Sequence, residues 1–461
     1  MELIKNKIFW LFIILACLVT AGFSLANNYP LFISAGVVSI ILIILFSKYP
    51  IWGIYLMAIL YPFTYFELFY QDLDIPYVDL VALLLFIAWG IRTLYLYLEK
   101  GEKLSRKNFP ALIFMLLYVL ANLLSLLNVD REQLGLAIKF IFRPIIFFYL
   151  MYIILPYNII DSLKRLFAVF KIMFVLGLGL CLMGIWSIII TPASQIKRAM
   201  PTAIFNIYPL GTNQNLLAEV FICIIPMALI LYWYEKDIYW KNVYLIGTIL
   251  MISLNLLTLS RAGWLSLALQ LLVLAVLKYK KEVKNILTSY LPYLGLILMA
   301  PIIYLMYRLF NSTLMSSSNL NRLNLIELSF ALFKSHPLFG TGSGTFISAL
   351  SQVKWYLLEY GEVIDAHGFI FKTLAETGLF GTVTFILLLG YILYVLYKSY
   401  NENRSTANSL LILGALLIAL GGITFQLFNT SYFIAKLWLP IGLALTAVKL
   451  GAIKTKTALK I

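Results

Sequence analysis

Two histidines, His336 and His367, are the only ones in this 461-residue chain. They lie within and just beyond its longest polar stretch, residues 311–365. Histidine is the one side chain whose ordinary pKa, about 6.5, lets it take and return protons near neutral pH. A histidine acting as a base needs an acceptor proton in reach, and a carboxylate can hold its tautomer. Around His367 the candidates for that partner are Asp365, Glu362 and Glu376. A second chemistry sits in the arginines. Arg261 stands between two long apolar runs with almost no loop around it, where a charge is costly unless it is paired, snorkels or lines a watered cavity. Guanidinium stays charged and matches phosphate oxygens with a fixed fork, so Arg261 reads either as an anion clamp or as an interfacial anchor. Lys197 and Arg198 lie in a loop that returns to the apolar phase, with Asn213 and Asn215 further along the same segment. His336 precedes Pro337 and would end a helix there.

Other site chemistries find less support. Gly340, Gly342 and Gly344 make a GTGSG run that can form an anion-binding nest or a tight turn. It lacks the GK[ST] of a phosphate-binding loop and comes after no predicted strand, so a nucleotide site is weak. Cys17, Cys181 and Cys223 lie inside apolar runs with no CxxC pair, which supports neither a disulfide framework nor a thiolate metal site. No cofactor and no metal is expected.

The elements that must position these residues are membrane helices. Hydrophobic residues make up 62% of the chain and charged residues 12%, against about half and a quarter in a soluble domain. Continuous apolar runs predict an all-α polytopic membrane protein of about 12–14 spans, each of about 20 residues. The expected spans are 8–26, 31–47, 50–66, 78–97, 109–128, 133–155, 166–190, 214–234, 240–258, 262–277, 287–307, 367–397, 408–427 and 432–448. The run at 8–26 comes after a basic start but is longer than a signal core, so it reads as retained. With the N-terminus inside, alternate loops collect most of the lysines and arginines, which sets both termini in the cytoplasm and the 311–365 loop outside. The net charge of +15 is then mostly a topology signal, and its spread over many short loops argues against nucleic acid. Residues 322–335 can form an amphipathic helix on the bilayer. The chain divides into three units: N-terminal spans 1–190, spans with the external catalytic loops 191–365, and C-terminal spans 366–461.

The motifs together resemble the O-antigen ligase and polymerase superfamily of bacterial envelope enzymes. The residues that carry the resemblance are Ser260-Arg261-Ala262-Gly263, His336-Pro337-Leu338-Phe339-Gly340 with Gly342, and His367 with Leu374-Ala375-Glu376 and Gly378-Leu379-Phe380-Gly381 after it. Arg198, Phe205 and Asn213-Gln214-Asn215 resemble the family's first external motif. Two departures stand out: Gly368 where the family usually has Asn, and Gln214 where it usually has Pro. The resemblance implies a metal-independent, inverting glycan transferase in the inner membrane, working on its external face. Its donor would be a polyprenyl (undecaprenyl) diphosphate-linked glycan, and its partners that donor, an acceptor glycan and membrane lipids. By resemblance and by chemistry, Arg198 and Arg261 would hold the diphosphate as its charge grows. By resemblance, His367 would deprotonate the acceptor hydroxyl, with Asp365 as its helper. Lys197, Asn213, Asn215 and His336 would line the substrate site.

Three functions compete. A ligase would join a finished glycan to an acceptor such as the lipid A core oligosaccharide, the reading favoured here. A polymerase would extend one lipid-linked chain with another. A lipid-linked glycan transporter would predict paired broken helices and internal repeats, and no repeat is evident.

Overall fold

The computed structural model describes residues 30–70, 73–100, 109–192, 194–280 and 313–452. The spans expected at 8–26 and 287–307 lie outside the described residues.

The described chain is an all-α polytopic membrane protein, and seven of its helical segments are long and apolar enough to cross a membrane. Helix α1 (Pro30–Lys48) stops one residue before α2 (Pro50–Leu60). Pro50 has no N–H to continue the preceding helix and its fixed φ suits a first turn. The span expected at 50–66 is therefore an 11-residue helix. An antiparallel hairpin comes after it, β1 (Glu67–Tyr70) with β2 (Leu73–Pro76), pairing Leu68 with Ile75. Helix α3 (Tyr77–Lys100) and α4 (Leu112–Ser125) come next.

Residues 131–159 form one long apolar helical run. Its regular ends are α5 (Leu134–Phe140) and α6 (Leu155–Ile159). Between them the turns widen to π geometry over Ile141–Phe147 and Tyr149–Ile154. Pro144 lies in the first of these and has no N–H for the preceding turn. Asp79 of α3 accepts from Arg143 at 3.0 Å and from the Tyr152 hydroxyl, so the irregular run is tied down by a charged pair.

The chain continues with α7 (Leu163–Ile190), α8 (Gln214–Tyr234), α9 (Ile238–Leu257) and α10 (Arg261–Leu277). From Thr313 on, the described chain runs through α11 (Thr313–Ser335), short α12 (Phe346–Ser351) and short α13 (Lys354–Tyr360). Helices α14 (Phe369–Glu402), α15 (Ser409–Gln426) and α16 (Ala435–Gly451) complete the bundle.

Helices α8, α15 and α16 are mostly apolar and form its centre, with most of their residues buried, Glu219, Gln426 and Lys436 among them. Outer helices keep large apolar side chains such as Leu98, Val175, Leu182 and Trp186 on the surface, which lipid tails tolerate. Gln270 of α10 donates to the carbonyls of Ile222 at 2.9 Å and Leu417 at 2.8 Å, bolting α10 to α8 and α15. At one end of the bundle the 191–213 segment, the α9–α10 turn, α11 to α13 and the 427–434 loop come together. Ala199 N–H donates to Leu257 O at 2.9 Å, and Arg261 reaches Asn319 of α11.

Candidate active site

Arg261 is the first residue of α10. Its position is set by a tight turn: Leu259 takes a positive φ of 56°, and the Ser260 side chain caps the helix by accepting the Gly263 N–H at 3.2 Å. The close approach of Gly263 to Ala218 and Asn255 keeps this end of α10 against α8 and α9. The guanidinium donates to Asn319 Oδ1 at 2.6 Å.

Helix α11 brings a second guanidinium. Leu325 and Ser329 are buried and Arg322 sits one turn before Leu325, on the same stripe. That stripe packs with Phe346, Leu350, Tyr356, Ala366 and Ala375 in a small core of its own. Side-chain bonds from Tyr356 to Asn321 at 2.8 Å and from Asn324 to Tyr360 at 3.2 Å fasten α11 to α13. A helix is therefore present where an amphipathic one was expected, but its apolar residues lie on both faces, Leu325 buried and Leu320, Leu323 and Phe330 exposed. Its inward face carries Arg322. The Nε–H of Arg322 is buried with no hydrogen-bond partner among the described residues. Burial first, then the neighbouring Arg261 charge, pulls its pKa down to about 10.

His367 sits in the turn just before α14, half-buried. Desolvation is the main cause that holds its pKa down, with the charges of Arg322 and then Arg261 adding to it, to about 4. The ring is thus neutral at physiological pH and able to accept a proton. Gly368 takes a φ of 98°. A Cβ there would meet the Leu427 carbonyl at 2.5 Å, so this chain's turn admits only glycine.

Arg261, Arg322 and His367 therefore lie close enough to act on one another electrostatically, with Arg261 bonded to Asn319, three residues before Arg322 on α11. Among the described residues no carboxylate is a cause of the perturbation of Arg322 or His367. The acids nearby are engaged elsewhere. Asp365 Oδ2 pairs with Lys372 at 2.5 Å and Oδ1 accepts the Ala366 N–H at 2.8 Å. No hydrogen bond joins Asp365 to His367. Lys372, 2% exposed, also lies 3.5 Å from Glu376, so one buried ammonium holds both carboxylates.

Glu376 in turn anchors the glycine run. Its carboxylate accepts the Phe346 N–H at 3.1 Å. Gly340, Gly342 and Gly344 all have positive φ, and their loop docks on the backbone of α14 where that helix breaks at Gly378 (φ 62°, ψ −162°). Thr341 N–H donates to Ala375 O at 2.9 Å and Gly342 N–H to Glu376 O at 2.8 Å, while Leu379 N–H donates back to Pro337 O at 2.9 Å. The GTGSG run is a tight turn that the protein fills from within.

The structure also places the other residues expected at a substrate site. Asn213 is the N-cap of α8, its side chain accepting the Asn215 N–H at 2.9 Å, and Asn215 is buried in that first turn. Arg198 is half-buried with its Nε–H directed at the Met200 sulfur, and Lys197 is exposed. His336 is exposed at the end of α11 beside Ser335. Sequence reasoning missed Arg322 and Lys372. The signal for Arg322 was its spacing of three and seven residues from Leu325 and Ser329, which puts it on the buried stripe.

Residues 246–386 match the O-antigen ligase family. That range contains Arg261, Arg322, His336, Asp365 and His367 and excludes Lys197, Arg198, Asn213 and Asn215. The chain is also 25% identical over 344 residues to the teichuronic acid biosynthesis protein TuaE of Bacillus subtilis (strain 168), covering 69% of this chain and 66% of that relative. The alignment thus spans slightly less than two thirds of the relative's length. The range 246–386 that matches the O-antigen ligase family holds both arginines and His367.

Proposed function

We propose that this protein transfers a glycan from a polyprenyl diphosphate donor to an acceptor hydroxyl at the outer face of a bacterial plasma membrane, in the manner of an O-antigen ligase. The observation that carries the reading is the proximity of Arg261, Arg322 and His367, with the buried Nε–H of Arg322 unpartnered among the described residues. Two guanidiniums that repel each other are stable together when an anion lies between them, and a diphosphate supplies one.

The acceptor oxygen attacks the anomeric carbon from the face opposite the diphosphate, the anomeric C–O bond breaks, and the configuration inverts. Polyprenyl diphosphate leaves with the bonding electron pair, its growing charge held by Arg261 and Arg322. The acceptor proton passes to the free ring nitrogen of His367. A base with a pKa of about 4 is weak, but the donor's negative charge offsets the two arginines and makes the ring more basic when the acceptor arrives. Lys197 and Arg198 are proposed to meet the donor from the 191–213 loop. Asn213, Asn215 and His336 are proposed as further substrate contacts, and Asp365 as a helper of His367 that acts through the backbone, where it accepts the Ala366 N–H. The arginine pair supplies the countercharge that a metal ion supplies in other transferases.

A second reading is a polymerase that passes one lipid-linked chain to another. It is favoured by the similarity to a protein of teichuronic acid biosynthesis. The deciding experiment uses purified protein in nanodiscs. Lipid-linked glycan, extracted from a host strain lacking the gene, is supplied with and without a lipid A-core acceptor. Acceptor-dependent product that disappears in His367→Ala supports the ligase. Longer lipid-linked chains made without that acceptor support the polymerase. Undiminished transfer by His367→Ala refutes the site in either case.

A further inference from the structure

The loop between α15 and α16, residues 427–434, takes no part in the chemistry proposed above, yet it touches the backbone on both sides of His367. The Thr430 hydroxyl accepts the N–H of Gly368 at 2.9 Å and donates to the carbonyl of Ala366. One side chain therefore fixes the peptide groups before and after the histidine. The Leu427 carbonyl closes the same turn against Gly368.

This loop is itself bolted to the centre of the bundle. Glu219 of α8 accepts from Gln426 at 2.9 Å and from the Ser431 hydroxyl at 2.5 Å, both on one carboxylate oxygen. Ser431 N–H donates to Gln426 Oε1 at 2.8 Å. Glu219, Gln426 and Ser431 are 1%, 0% and 2% exposed. A carboxylate buried in a membrane helix is expensive, and such groups are kept for function. Here its bonds hold a loop that an apolar core could not orient. A histidine base is usually oriented by a carboxylate on its ring, but the neighbouring Asp365 is held by Lys372. The backbone turn then sets the position from which the ring reaches the site.

We infer that Thr430 is a positioning residue for His367, and that Glu219, through Gln426 and Ser431, holds Thr430 in place. The inference rests on the reading of His367 as the base. Thr430 must both donate and accept, so serine can replace it and valine, of the same shape, cannot.

The test compares wild type, Thr430→Val, Thr430→Ser and His367→Ala in nanodiscs, with the extracted lipid-linked glycan as donor. A misplacement of about 1 Å can cost about 10²-fold in rate. Thr430→Val should accordingly lower kcat by about 10- to 100-fold, leave the donor KM within about threefold, and keep the wild-type pH dependence. Thr430→Ser should recover most of the rate. If Thr430→Val gives no folded protein, Thr430→Ala removes the same two bonds and takes its place. The inference is overturned if kcat is unchanged, if the loss appears mainly in KM, or if serine does not rescue. Loss of transfer in His367→Ala together with a normal Thr430→Val overturns only the positioning role. Full activity of His367→Ala overturns the base itself.

Discussion

The sharpest prediction concerns the protonation of His367. Its pKa falls from 6.5 to about 4, with desolvation the largest cause, Arg322 the second and Arg261 the third. Arg322 is a smaller cause than desolvation, so removing its charge should recover only part of that fall. Replacing Arg322 with Gln should therefore raise the His367 pKa above about 4 without restoring its ordinary 6.5. Arg261→Gln should raise it by less. A diphosphate acts on both arginines at once, so it should raise the pKa by at least as much as Arg322→Gln does. By linkage, protonated His367 must bind that diphosphate more tightly by the same factor.

The chain has only two histidines, which makes the measurement direct. Histidine labelled at the ring Cε1 carbon gives two resonances in a nanodisc sample, and His336→Gln assigns them. Each is titrated in wild type, in Arg322→Gln and in the presence of farnesyl diphosphate as a short donor analogue. In the kinetics, kcat/KM should hold steady as pH falls from 7 toward 5 and drop through about 4, because the base works only when neutral. A wild-type His367 that titrates at its ordinary value, or one indifferent to both Arg322→Gln and farnesyl diphosphate, would refute the cluster as described.

The same geometry sets other expectations. Arg261→Ala and Arg322→Ala should each weaken donor binding and lower kcat, by about 10²–10³-fold in kcat/KM, since each removes a charge that steadies the leaving group; equal KM and kcat to wild type would remove that residue from the site. Lys372→Met strands the Asp365 and Glu376 carboxylates that it holds and should destabilise the protein by about 3–5 kcal/mol, read as a lower thermal midpoint in detergent; an unchanged midpoint would show that the acids find other partners. Gly340→Ala would bring a Cβ within 2.3 Å of the Glu376 carbonyl carbon at a φ of 71°, so it should unseat the 337–344 loop and lower the yield of folded protein. Gly36→Ala, with nothing within 4 Å of the new Cβ, is the matched control.

Much of the architecture was legible because its physics is local. A chain with 62% hydrophobic residues and 12% charged residues has no soluble solution, and continuous apolar runs in lipid can only be helices. Arg261 and His367 were legible because each breaks such a run with a group that lipid does not accept. The break in α14 at Gly378 was not foreseen, since 367–397 was expected as one unbroken span. It arises because the loop at Gly340 inserts its backbone there, from 38 positions earlier in the chain. The hairpin at Glu67–Pro76 escaped notice because its two strands are too short to show an alternating pattern.

Sequence alone thus determined the solvent, the helical class and the two residues whose chemistry is costly where they stand. Tertiary structure alone decided which charges meet. Arg322 becomes a neighbour of Arg261 only when α11 folds back with its buried stripe against α14. Asp365 loses its obvious partner, His367, to Lys372 because the first turn of α14 brings the ammonium round to it. Thr430 lies more than 60 positions from the histidine it brackets, and no local pattern marks it. Charge and apolarity act through composition and spacing, so a sequence displays them. Hydrogen bonds and ion pairs depend on angstroms between distant segments, and only the packed bundle fixes those.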